Sequence, residues 1–136
     1  ALGVMDRGFV KLDQLRSEVN LFTIGPAWIL TIPGEINPEL VNGGIEVPEG
    51  ADFPEKPVEL PPLRELMTGK FKFVIGLAND EIGYIMPKTH WDEEEPLTYD
   101  FKKKPYGEIN SLGPNTASLL HSQVKDIIDD LNRMEH

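Results

Sequence analysis

Two apolar runs that each break at glycine and then present a single chemistry-bearing side chain constrain this chain more than anything else in it. In the first, Ala27-Trp28-Ile29-Leu30-Thr31-Ile32 stops at Pro33-Gly34 and leaves Glu35 just beyond. In the second, Phe71-Lys72-Phe73-Val74-Ile75-Gly76-Leu77 runs into Ala78-Asn79-Asp80-Glu81-Ile82-Gly83, and Tyr84 follows. Runs dense in β-branched and aromatic residues are strand-forming. Pro33 cannot donate to a ladder and ends the pairing of the first. In an open α/β sheet, ligands bind where strands end. Glu35 and Tyr84 therefore stand at candidate positions, and the run from Phe71 is expected to be a buried strand.

The surrounding chain supplies the rest of an α/β unit. Residues 1–16, with Leu2, Val4, Phe9, Val10, Leu12 and Leu15, are compatible with an edge strand and a turn. Val19, Leu21 and Thr23 alternate with Asn20, Phe22 and Ile24, and Gly25-Pro26 is a turn pair, so 17–32 is expected to be a β-hairpin. Asn37-Pro38-Glu39-Leu40-Val41 has the order of a short helix start and is cut off by Asn42-Gly43-Gly44. Residues 46–62 are proline-rich and read as a surface loop that covers something. Pro61 to Met67 reads as a short helix entered through proline. Residues 88–104, with Asp92-Glu93-Glu94-Glu95 and Lys102-Lys103-Lys104, read as an exposed, self-neutralising excursion. The last helix begins at Gly113-Pro114-Asn115-Thr116. Leu120, Val124, Ile127, Ile128 and Leu131 line one of its faces, and Asp126, Asp129, Asp130, Asn132 and Arg133 the other. The expected architecture is α/β in the α+β manner: a mixed sheet with a β-hairpin, a buried central strand and a C-terminal amphipathic helix, with residues 1–136 as one unit.

Composition narrows function by exclusion. Thirteen basic against 23 acidic residues give a net charge of −10, which argues against nucleic acid and anionic membranes as partners. With no cysteine there is no disulfide and no thiolate metal site. No apolar run approaches the ~18 residues of a spanning helix. A phosphate-binding glycine loop, a His-Glu-x-x-His pair and a Gly-x-Ser-x-Gly elbow are all missing. His90, His121 and His136 lack the spacing of a ligand pair. On pattern alone Glu35 is a rim carboxylate and Tyr84 a half-buried aromatic whose hydroxyl bonds to backbone; a role in chemistry is the alternative their position at strand ends offers.

Three blocks together resemble the neutral/alkaline (non-lysosomal) ceramidase family. Phe22-Thr23-Ile24-Gly25-Pro26-Ala27-Trp28-Ile29-Leu30-Thr31-Ile32-Pro33-Gly34-Glu35 is similar to its strand pair ending in Pro-Gly-Glu. Val74-Ile75-Gly76-Leu77-Ala78-Asn79-Asp80-Glu81-Ile82-Gly83-Tyr84 is similar to its Gly-Leu-Ala-Asn…Gly-Tyr strand. Tyr106-Gly107-Glu108-Ile109-Asn110-Ser111-Leu112-Gly113-Pro114-Asn115-Thr116 is similar to the segment that leads into a helix. The blocks occur in the family's order and cover most of residues 17–130.

The resemblance implies a zinc-dependent amidohydrolase that cleaves the N-acyl amide of ceramide to sphingosine and a fatty acid. It implies Glu35 and Tyr84 as zinc ligands and Tyr106 as the residue that helps polarise the substrate amide. The family's two histidine ligands and its catalytic serine have no counterpart here, and its helix after Pro-Gly-Glu is replaced by the proline-rich loop. The chain is thus expected to be the C-terminal part of a catalytic domain. It would carry two of four ligands, be inactive alone, and have the N-terminal part of that domain as its partner and a lipid amide as substrate of the whole. Family members are secreted or face outward, so a secreted, periplasmic or outward-facing location is implied. The alternative is a non-catalytic binding or assembly module that kept the scaffold, with the acidic surface and the proline-rich loop as its interaction features.

Overall fold

In the computed structural model, residues 9–11 and 14–134 are described. A short antiparallel pair, β1 (Phe9–Lys11) and β2 (Gln14–Leu15), opens the chain. Leu2, Val4, Leu12 and His136 lie outside the described residues. The expected hairpin follows as β3 (Asn20–Ile24) and β4 (Ala27–Thr31), antiparallel with Phe22 opposite Ile29 and closed at Gly25, whose φ of 55° suits a residue without a side chain.

From β4 the chain passes through β5 (Glu35–Ile36), α1 (Pro38–Asn42), the proline-rich loop and α2 (Leu63–Leu66). It returns as β6 (Phe71–Ile75), parallel to β4 with Ile29 opposite Phe73. The sheet order β3-β4-β6 is therefore mixed, as expected, with β4 as its central strand. The run from Phe71 is not the buried strand its composition suggests: β6 is an edge, and Phe71, Phe73 and Ile75 are exposed. Its register against β4 decides this, since Val74 is opposite Leu30 on the inner face and Phe73 is opposite Ile29 on the outer one.

The core lies on the inner face. Trp28, Leu30 and Ile32 pack with Leu40 of α1, Leu63 of α2, Met67, Ile85 and the buried stripe Ala117, Leu120, Val124 and Ile128 of α4 (Thr116–Met134). Gly69 is obligatory beside this cluster, because a Cβ there would overlap the Trp28 ring. α4 begins where the sequence places it, with Thr116 Oγ1 donating to the Gly113 carbonyl at 2.8 Å.

The two irregular stretches are tied down from inside. In the proline-rich loop Glu59 is fully buried and accepts from Ser118 Oγ at 2.7 Å, while His121 Nε2 bonds the Pro61 carbonyl at 2.7 Å. The loop therefore covers the start of α4, as the covering reading anticipates. The 88–104 excursion is only partly the exposed element expected. Glu93, Glu94 and Glu95 are exposed, but Asp92 is buried and accepts from the Thr98 amide and hydroxyl. Lys104 pairs not with the acidic run but with buried Glu108, at 2.8 Å, and donates to the Asp92 carbonyl. Asp92, a charged group that sequence places in solvent, thus folds inward because it acquires partners there, while Lys104 stays exposed.

Candidate functional site

Three backbone segments meet beyond the end of β4, and glycine is what lets them meet. β5 pairs in parallel with β7 (Tyr84–Ile85), Glu35 lying directly opposite Tyr84. The Glu35 amide donates to the Gly83 carbonyl at 3.0 Å, and the Asn37 amide to that of Ile85 at 3.0 Å. On the other side of β7 the Tyr84 amide donates to the Asn110 carbonyl at 2.9 Å, and Tyr84 bridges Ser111 in parallel. A Cβ on Gly34 would overlap the Gly83 carbonyl oxygen, and a Cβ on Gly83 would overlap that of Asn110. Gly83 also has φ of 89°, which disfavours any side chain. The glycines preceding Glu35 and Tyr84 are thus required for the ribbon 35–84–111 to close.

The consequence is that residues from three separated sequence blocks share one place. Registered neighbours on parallel strands sit ~4.8 Å apart, so the Glu35 carboxylate and the Tyr84 phenol are adjacent. Tyr106 stands at the start of the short helix α3 (Tyr106–Ile109), and its ring meets that of Tyr84 edge-on, with centroids 5.7 Å apart and an interplanar angle of 84°. Gly107 packs close to the Tyr84 ring and the Met86 sulfur, again where a side chain would crowd. α3 is itself held by the Lys104–Glu108 pair.

Electrostatics around Tyr84 are those of a phenol beside a carboxylate. Hydrogen bonding to Glu35 pushes the Tyr84 phenol above the usual tyrosine range, desolvation adds to this, and the charges of Glu35, Tyr106 and Glu81 act in the same direction. In the metal-free chain the phenol therefore stays neutral. A cation placed between the two oxygens would invert that balance, since positive charge favours both the carboxylate and the phenolate.

The donor set fits zinc in part. Carboxylate oxygen is an accepted ligand, but a catalytic zinc takes three protein ligands and keeps one position open. Glu35 and Tyr84 supply two oxygens. Among the described residues no group of three or more His, Cys, Asp and Glu side chains is placed to hold a metal. His121 is engaged with Pro61 in the core.

Two residues near the site escape sequence reading. Glu81 contributes negative charge at Tyr84 and accepts from the Gly83 amide at 3.2 Å. Ser111 presents a buried hydroxyl with no hydrogen-bond partner in the protein, next to Tyr84 across the bridge. Neither has a pattern that distinguishes it; the bridge to β7 reveals Ser111, and the turn before β7 brings in Glu81. Beside them an open apolar cleft of about 370 Å³ is lined by Leu15, Ile82, Leu112 and Leu119.

No family model matches the chain, and neither a curated protein nor a solved structure matches it. What defines the molecule is therefore its own architecture, a mixed α/β sheet backed by a long C-terminal helix, with one carboxylate and two phenols gathered at a strand-end ribbon.

Proposed function

We propose that Glu35 and Tyr84 are two ligands of a zinc-dependent amidase centre like that of the neutral ceramidases, completed by polypeptide outside these 136 residues. One observation carries the reading: Glu35, Tyr84 and Tyr106, drawn from three blocks up to 71 positions apart, converge on a single hydrogen-bonded ribbon. Bound zinc would supply Lewis-acid polarisation of an amide carbonyl. This chain's residues would hold the ligand oxygens in register on paired strands, with the Tyr106 phenol beside them to donate to the substrate amide. The apolar cleft at Ile82 and Leu112 suits the acyl part of a lipid amide. Among the described residues no helix is long and apolar enough to cross a membrane. A secreted, periplasmic or outward-facing setting belongs to this proposal.

The test is made on the product of the whole reading frame. It should contain further polypeptide with histidine ligands, hydrolyse a fluorescent N-acyl amino-alcohol amide, and lose at least ~100-fold in kcat/KM on Glu35→Gln or Tyr84→Phe. Undiminished hydrolysis in both variants, or a frame without such histidines, overturns the proposal. A second reading, a non-catalytic assembly module, is favoured by a different observation: the outer face of the sheet exposes Phe22, Ile24, Phe71, Phe73 and Ile75.

A further inference from the structure

The outer face of the β3-β4-β6 sheet is the feature that the site leaves unexplained. The registers place Ile24, Ala27 and Phe71 in one row across it and Phe22, Ile29 and Phe73 in the next, with Ile75 beyond them. Phe22 is 50% exposed, Ile24 67%, Phe71 50%, Phe73 52% and Ile75 48%. None of these seven residues is ionisable, so the net charge of −10 is carried elsewhere. The inner face of the same edge strand carries Lys72, opposite Trp28. β6 thus turns its three largest apolar side chains outward and its one charge inward, the reverse of an edge strand meant to face water.

The exposed parts of these three Phe and two Ile side chains amount to on the order of 500 Å² of apolar surface, near the top of the range for the largest patch on a monomer. Two such faces stacked would bury ~1,000 Å² from these side chains alone, about the area a specific interface has to clear. A flat sheet face is self-complementary under a two-fold axis: aligned or orthogonal stacking at ~10 Å lets side chains of the two faces interdigitate. Both edges of the face, β3 and β6, are free of a further strand among the described residues, while Lys70 Nζ lies over the Phe71 ring at 5.6 Å and Asn79 covers the Ile75 end by donating to Thr31 Oγ1 at 2.9 Å.

From this we infer that the face is a homodimer interface, on which a second copy of the chain stacks sheet to sheet. The inference does not depend on the zinc reading. Phe73 is the natural anchor, being the middle residue of β6 and opposite Ile29.

Sedimentation equilibrium of the chain over the micromolar range tests it. The wild type is expected to sediment as a dimer. Phe73→Glu should raise the dissociation constant by at least ~100-fold, as loss of an aromatic anchor does, with far-UV circular dichroism unchanged. An equimolar mixture of the Phe73→Glu and Phe73→Lys chains should recover dimers that neither forms alone. Phe22→Glu, on the opposite edge of the same face, provides a second disrupting variant should Phe73→Glu fold poorly. A monomeric wild type that binds a dye for exposed apolar surface would overturn the inference and assign the face to a different polypeptide. A dimer that survives both charged substitutions would overturn it as well, by placing the interface elsewhere.

Discussion

At Tyr84 the fold sets a phenol against a carboxylate, and the sign of the resulting effect can be worked out. An isolated tyrosine titrates near ~10. Glu35 holds Tyr84 above that value by hydrogen bonding, with desolvation second. The native state thus favours the neutral phenol. Its contribution is complete below pH ~10 and is lost as pH rises through the folded value. Glu35→Gln should lower the Tyr84 pKa toward the ordinary range, measured as the phenolate absorbance difference against Tyr84→Phe. An unchanged titration would mean that Glu35 does not reach the phenol. The glycines make a second residue-scale prediction. Gly83→Ala introduces a Cβ at φ of 89° and against the Asn110 carbonyl, and should cost at least ~2 kcal/mol in urea denaturation. Pro33-Gly34-Glu35 and Gly83-Tyr84 are legible in sequence as breaks. That the glycines are demanded by three backbones in contact is not, because the third backbone, at Asn110, lies 27 residues beyond Gly83.

Elements with a single period are the ones the sequence discloses. α4 shows its apolar stripe at helical spacing, and Leu120, Val124 and Ile128 are indeed buried. The hairpin shows its turn pair. β4, apolar at every position but Thr31, is central. Leu30→Ala should therefore cost ~2–5 kcal/mol by opening a cavity beneath the sheet. β6 misleads because it is apolar on one parity and mixed on the other, and only its pairing partner fixes which parity faces the core. The excursion 88–104 misleads for an electrostatic reason: a run of acids reads as solvated until a lysine twelve residues on closes over Asp92. Removing that lysine, as in Lys104→Ala, leaves Glu108 buried without its cation. The expected loss is on the order of 2 kcal/mol, since Lys104 is half exposed and partly screened. Amide exchange across α3 should rise with it; protection unchanged at Ile109 and Asn110 would show that α3 is held by other contacts.

For the molecule as a whole, the sheet has one face built into a core and one left apolar, and Glu35, Tyr84 and Tyr106 gather beyond its strand ends. The fold class was readable from the order of elements, and the candidate site from two strand ends together with a family resemblance. The meeting of Tyr106 with Tyr84 was not, because α3 is placed by the Lys104–Glu108 pair rather than by any local signal. The central claim is that Glu35 and Tyr84 form one metal-ligand pair, incomplete within these residues. Calorimetric titration of zinc into the wild-type chain and into Glu35→Gln and Tyr84→Phe at neutral pH tests it most directly. The account predicts weak binding by the wild type, reduced at least ~10-fold in each variant, as for a site that holds two of its four protein ligands and lacks both histidines. Tight binding by the chain alone, or binding indifferent to both substitutions, would contradict it.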